Sequence, residues 1–262
     1  MHKYLKKYFS LNKALICIAI LNAEPSLQGE TSSKVETMIK EIDWAGISFK
    51  MIQSGESDHR LIWLHGDEKT AKMALEDYVK HYSGIAFFIQ SSDREIPFID
   101  TIVDPNRIFS TEGSSKALQK FKSNWNQTQL NEAISLLEKG RKTFLNEIFP
   151  TNGGLLIALH NNSRGYNIHS ETQNSTSVSI KKDQNPRDFI ICTEEVDFLK
   201  LEHGPYNVVL QNKNLGYDDG SLSWASLENG VRYINIEVRL GWLSKQKKML
   251  NYIHYTLIHA NN

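Results

Sequence analysis

The amino-acid sequence predicts an α/β fold, a sandwich of helices around a largely parallel or mixed β-sheet. Two observations predict it. Short runs rich in Ile, Val, Leu and Phe recur along the chain, and most are separated by longer segments with helical spacing of apolar residues. Runs that are apolar at every position suit strands covered on both faces, which helices on both sides of a sheet provide. No internal repeat of 20–50 residues is visible. The 262 residues suffice for one domain with a full core.

In chain order, Lys3, Lys6, Lys7 and Lys13 precede the apolar run Ala14–Leu21, which Asn22, Ala23, Glu24 and Pro25 follow. A basic stretch, a short apolar stretch and a small residue before a polar turn have the layout of an export signal peptide over residues 1–23. The run is too short to span a bilayer. A single domain over residues 24–262, periplasmic or secreted and without a stable membrane span, is therefore expected. A helix is expected over Lys34–Ile42, then strands over Ile47–Ile52 and Leu61–Leu64, a helix over Thr70–His81 and a strand over Ile85–Ile89. Helices over Ser114–Asn124 and Thr128–Ile148 follow. Strands come next at Leu155–Leu159, Phe189–Cys192, Val208–Leu210 and Tyr233–Val238, and a terminal helix near Leu243–His259. Two polar stretches, Asn161–Arg187 and Lys213–Ser223, read as surface loops. The first is long for a compact domain and is expected to form a functional rim or a lid. Trp63 and Trp242 are expected in the core.

Lys plus Arg equals Asp plus Glu at 30 each, so no global field draws the chain to nucleic acid or to an anionic membrane. Ligand preference must reside in a local constellation. Of the two cysteines, Cys17 would leave with the leader, and a lone Cys192 excludes an internal disulfide. Its apolar neighbours Phe189–Ile191 make it a small buried hydrophobe.

Four segments carry chemistry. His65 and Glu68 lie three residues apart in the turn between the strand ending at Leu64 and the following helix, the place where ligands gather at the carboxyl ends of strands. Imidazole nitrogen and carboxylate oxygen both suit Zn2+. His160 ends a second buried strand, and three ligands from strand ends leave a fourth position for water, as in catalytic zinc sites. In the strand Tyr233–Val238, Tyr233, Asn235 and Glu237 share one face. A carboxylate there needs either an ion pair, with Arg232 or Arg239, or employment as a general base beside zinc-activated water. Asp104, Pro105, Asn106 and Arg107 form a turn in which Arg107 can grip a carboxylate.

In this order the segments resemble the zinc carboxypeptidase superfamily, above all its aspartoacylase and succinylglutamate desuccinylase branch. That branch carries H-G-x-E after a strand, D-x-N-R, a strand-end His and a late-strand Glu. This chain has His65-Gly66-Asp67-Glu68, Asp104-Pro105-Asn106-Arg107, Ala158-Leu159-His160 and Asn235-Ile236-Glu237. The resemblance covers residues 47–242 and rests on about a dozen positions. It implies a three-layer α/β/α sandwich on a mixed, mostly parallel sheet of about eight strands. It also implies one zinc per chain on His65, Glu68 and His160, substrate contacts from Asn106 and Arg107, and Glu237 as the base. The pattern departs from the family in two places. No arginine lies in Lys69–Leu75, and only Tyr217 or Tyr206 could stand in for a tyrosine that the carboxypeptidases carry before the catalytic Glu. Arg164 and Tyr166, in the long loop, could supply substrate contacts.

Together these readings give an exported zinc-dependent hydrolase of the carboxypeptidase or amidase type. Its substrate would be peptide-like, with cell-wall peptides suggested by compartment alone. An N-acyl amino acid deacylase and a catalytically silent peptide-binding module are the alternatives.

Overall fold

The structure, a computed structural model, describes residues 17–18, 37–213 and 217–259. The expected signal peptide lies outside the described residues apart from Cys17–Ile18, a two-residue strand, β1. The remaining strands are β2 (Thr37–Trp44), β3 (Ile47–Ser54), β4 (Arg60–Trp63), β5 (Gly84–Ile89), β6 (Ile96–Phe98), β7 (Thr101–Val103), β8 (Leu156–Asn162), β9 (Ser177–Ser179), β10 (Phe189–Cys192), β11 (Asn207–Leu210) and β12 (Tyr233–Arg239). The helices are α1 (Lys69–His81), α2 (Thr111–Phe121), α3 (Gln127–Ile148), α4 (Glu195–Leu201), α5 (Leu222–Glu228) and α6 (Leu243–Ile253).

Ten strands form one mixed sheet in the order β1-β2-β3-β5-β4-β8-β12-β10-β11-β9, with β6 and β7 a separate hairpin. The centre is parallel, from β5 through β4 and β8 to β12, and β10 runs parallel to β11. The flanks are antiparallel, so the expectation of a mostly parallel sheet is corrected.

The largest correction is at the N-terminal flank, where the helix expected over Lys34–Ile42 is replaced by β2. Ala45 and Gly46 both have positive φ, 56° and 89°, and this two-residue turn folds β2 back onto β3. Ile42 and Trp44 then share a buried face with Lys40, whose ammonium pairs with Glu147 of α3 at 2.9 Å. The Trp44 ring stacks 4.9 Å from Phe144 of α3, and its indole N–H donates to the Leu137 carbonyl. A helical spacing of acids and bases over this segment masks an alternation that the turn and the aromatic packing select.

Partners across a sheet share a face, and the register Met51–Phe87–Ile62–Ala158–Asn235–Ile191 therefore runs along one side. His160, Glu237 and Phe189 continue on that side one pleat further along. Helix α3 packs on this side against β2 and β4, and α2 packs against α3 and β7. On the opposite side α1 packs against α6, and Asn161, one residue on from His160, accepts from the Ala71 N–H at the start of α1 at 2.8 Å. Helices thus lie on both faces. Among the described residues no helix is long and apolar enough to cross a membrane.

The stretch after His160 has more order than a patternless loop. His160, Asn161 and Asn162 belong to β8, two 3-10 turns follow at Ile168–Ser170 and Thr172–Asn174, and β9 extends the sheet against β11. A small apolar cluster of Ile168, Phe189, Ile191 and Val209, with Tyr166 packed on it, fastens this segment over the site-bearing face. Trp63 is buried as expected. Trp242 is exposed, and its ring lies 3.8 Å from the Arg239 guanidinium.

Candidate metal centre

Strand β4 ends at Trp63, and the chain turns through Leu64 to Asp67 into α1. The Trp63 indole N–H donates to the Glu68 carbonyl at 3.0 Å, which ties the end of the turn back to its start. Gly66 is required here by close approach: a Cβ at this position would come within 2.4 Å of the Ser91 carbonyl oxygen, and the Gly66 N–H donates to the Asp93 carbonyl. The turn thus points His65 and Glu68 at the same spot that His160, on the adjacent strand β8, approaches from the side.

The three side chains meet. His65 Nδ1 lies 2.9 Å from Glu68 Oε1 and 3.2 Å from His160 Nδ1, while His160 Nδ1 lies 3.0 Å from Glu68 Oε2. One candidate ligand atom from each lies within 4.8 Å of the others, and all three residues are no more than 3% exposed. His160 Nε2 is buried without a partner among the described residues, so this imidazole is held through its Nδ1 side alone. Two nitrogens this close cannot both carry a proton, and each Nδ1 also faces the carboxylate. Such a donor set fits a single divalent cation of the zinc class.

Two further residues orient it. Asp104 Oδ1 takes His65 Nε2 at 2.8 Å and the Asn106 backbone N–H at 2.8 Å. A carboxylate on the outer nitrogen fixes the ring so that Nδ1 faces Glu68 and His160, the kind of support that metal-binding histidines have. Arg94 donates to Glu68 Oε1 at 2.7 Å. Asp104 was legible only as part of a turn motif, and Arg94 gave no sequence signal at all. No arginine follows the first metal motif directly, but Arg94 brings a second guanidinium into the cleft beside Arg107.

The electrostatics agree with a cation site. Burial works against a charged His65, but the flanking carboxylates of Glu68 and Asp104 outweigh it and raise the imidazole from 6.5 to about 9. Burial likewise opposes ionised Glu68 and Asp104. The neighbouring histidines hold Glu68, and His65 holds Asp104, well below the usual carboxylate range. A proton on His65 therefore supplies the positive charge that the two buried carboxylates need.

Glu237 stands beside this cluster as the register partner of His160. The ordinary explanation of its burial, an ion pair with a neighbouring arginine, is excluded. Arg232 makes a bidentate pair with Asp197, and Arg239 makes one with Asp188. Among the described residues Glu237 has only weak amide donors, Asn235 Nδ2 at 3.3 Å and Asn162 Nδ2 at 3.5 Å. Burial is the main cause of its raised pKa, with the nearby Glu68 charge adding to it and His160 opposing it.

These groups line a cleft of about 390 Å3. Asn106, Arg107 and Arg164 line it too, as the sequence suggested. Asn106 Oδ1 accepts the Leu222 N–H and so anchors the start of α5, which leaves only its amide nitrogen for a ligand. Arg107 donates to the Asn106 carbonyl at 2.6 Å and faces Asp219 at 3.7 Å, with its side chain 43% exposed. The Asp218–Ser221 segment reaches this turn because Gly220 sits against the Arg107 carbonyl and the Gly113 Cα, with φ of 70°. Tyr217 lies outside the cleft on the wall of an adjoining depression, exposed, with the Lys116 ammonium over its ring. Tyr206 is removed from the site: it pairs edge-on with Tyr252 of α6 on the opposite face. Among the described residues Tyr166 and Tyr233 are the tyrosines that line the cleft. No protein-family model, curated protein or solved structure matches the chain.

Proposed function

We propose that the chain is a zinc-dependent hydrolase of amide bonds in peptide-like substrates, built on a zinc carboxypeptidase-like fold and exported from the cytoplasm. The observation that carries the reading is the convergence of His65, Glu68 and His160 beside Glu237, a buried carboxylate with no counter-ion among the described residues. A structural zinc site closes its coordination with protein ligands; three ligands beside an unpaired carboxylate in an open cleft suit catalysis.

His65, Glu68 and His160 would hold the ion, which when bound supplies Lewis acidity to a carbonyl and to water. Glu237 takes the proton from the attacking water and returns it to the leaving amine. Its raised pKa brings proton release nearer to neutrality than an exposed glutamate would. Arg107, partly exposed on the cleft wall, holds a substrate carboxylate. Arg94 and Asp104 keep Glu68 and His65 in position.

Hydrolysis of a blocked dipeptide by the zinc-loaded chain tests the reading, with the Glu237→Gln variant as control. Release of the C-terminal residue by the wild type alone supports it. Equal release by both, or release unaffected by a chelator, overturns it.

A further inference from the structure

Beside Glu237 the cleft presents one buried acceptor without a donor and one carboxylate without a counter-ion among the described residues. Asn235 is 7% exposed and lines the cleft. Its amide nitrogen faces the Glu237 carboxylate at 3.3 Å, which fixes the orientation of the amide group: a reversed amide would set its oxygen against an anion. The oxygen, Oδ1, is then buried without a partner. A buried amide oxygen left in this state is costly. The second acceptor is Glu171 on the rim segment. Its oxygens accept the Tyr166 hydroxyl and the Gln211 side-chain amide, each at 2.5 Å, and no cation pairs with it among the described residues. Glu171 lines both the cleft and the adjoining depression, so its carboxylate is reachable from the space that Asn235 faces. Between them lies Ile191, the register partner of Asn235, an apolar contact in the cleft wall.

We infer that this part of the cleft receives a primary ammonium carried on an aliphatic stem, with Asn235 Oδ1 and Glu171 as its acceptors and Ile191 against the stem. The inference rests on the peptide-hydrolase reading and names its substrate class: peptides with an amine-bearing side chain next to the scissile bond. A neutral side chain would cover Glu171 without compensating its charge, and an anionic one would be repelled. An ammonium satisfies both acceptors, and its three donors allow it to bond each in turn. Arg107, which lines the same cleft with its side chain partly exposed, holds the substrate carboxylate in this reading.

The experiment is calorimetric binding of three dipeptides, acetyl-alanyl-lysine, acetyl-alanyl-norleucine and acetyl-alanyl-glutamate, to the zinc-loaded full chain carrying Glu237→Gln so that none is consumed. The lysine peptide is expected to bind about tenfold or more tighter than its norleucine counterpart, the scale of one charge-assisted hydrogen bond. Adding Glu171→Gln should collapse that ratio to about twofold or less. Adding Glu171→Lys should make the glutamate peptide the best of the three, a gain that misfolding cannot imitate. Equal affinities for lysine and norleucine peptides, or a ratio untouched by Glu171→Gln, overturn the inference. If the wild type still hydrolyses the norleucine peptide in that case, the hydrolase reading survives alone. A lysine preference without hydrolysis of any of the three upholds the pocket and overturns the hydrolase.

Discussion

Glu237 of β12 and His160 of β8 are register partners in adjacent parallel strands, so their side chains stand next to each other on one face of the sheet. The sheet itself, through backbone hydrogen bonds, sets the spacing between the proposed base and a proposed metal ligand. Neither residue depends on a loop for its position, which is the rigidity that a catalytic geometry requires.

Replacing Glu237 by Gln separates catalysis from folding. Turnover should fall about 100- to 10,000-fold, the range for loss of a general base, with zinc content unchanged. Because burial raises this carboxyl, ionised Glu237 destabilises the fold above its own pKa. The metal-free variant should therefore denature at higher urea than the wild type at pH 7.5, and the difference should vanish at pH 4. A less stable variant at neutral pH would contradict the assignment.

Asp104→Asn keeps the size of the side chain but removes the charge that orients His65. Zinc affinity is expected to drop about 10- to 100-fold, read by competition with a chelating dye, while urea stability of the metal-free chain at pH 7.5 also falls. Unchanged affinity would show that the His65–Asp104 contact at 2.8 Å does not tune the site.

The pH dependence follows from His65. Its pKa is raised to about 9 from 6.5. A raised value contributes stability that is complete below about 6.5 and disappears as pH climbs through about 9. Glu68 and Asp104, held low, act in the opposite sense: their contribution exists above the normal carboxylate range and is lost on acidification. Metal-free protein should thus be most stable between about pH 5 and 6.5. Zinc must displace the His65 proton, so its affinity should rise from pH 6 to 9 with proton release, measurable by calorimetry in two buffers of different ionisation enthalpy. Affinity that stays flat over this range would count against it.

Asn161 fastens the two halves of the site. It accepts from Thr70 Oγ1 and the Ala71 N–H, and donates to the Val238 carbonyl and Gln246 Oε1. Asn161→Ala leaves several of these groups unsatisfied in the interior and should cost about 3 kcal/mol of unfolding free energy. A loss below about 0.5 kcal/mol in urea titrations would place the network among the tolerant surface contacts.

Much of this was legible in the sequence, and the reasons differ by residue. The strands ending near His65 and His160 are apolar at every position, and a buried parallel strand leaves that mark whatever its partners. His65, Glu68 and His160 could be grouped because their chemistry is restrictive. Strand β2 was hidden because Glu36 and Lys40, four residues apart, have helical spacing, while the deciding contacts, Trp44 on Phe144 and the Ala45–Gly46 turn, are tertiary or conformational. The antiparallel flanks were equally invisible, since strand direction follows from connections. Arg94 and Glu171 act from irregular segments, where no periodicity reports direction. Tyr206 failed as a cleft residue because residue type and chain order say nothing about which face of the sheet a side chain meets.

Zinc content and ligand identity test the central claim most directly. X-ray absorption spectroscopy of protein purified without chelator should give one zinc per chain with two imidazole nitrogens and carboxylate oxygen in its inner sphere, and the His160→Ala variant should lose one imidazole or the metal itself. Failure of the wild type to retain stoichiometric zinc after dialysis from excess, or a coordination sphere unchanged in His160→Ala, would contradict it.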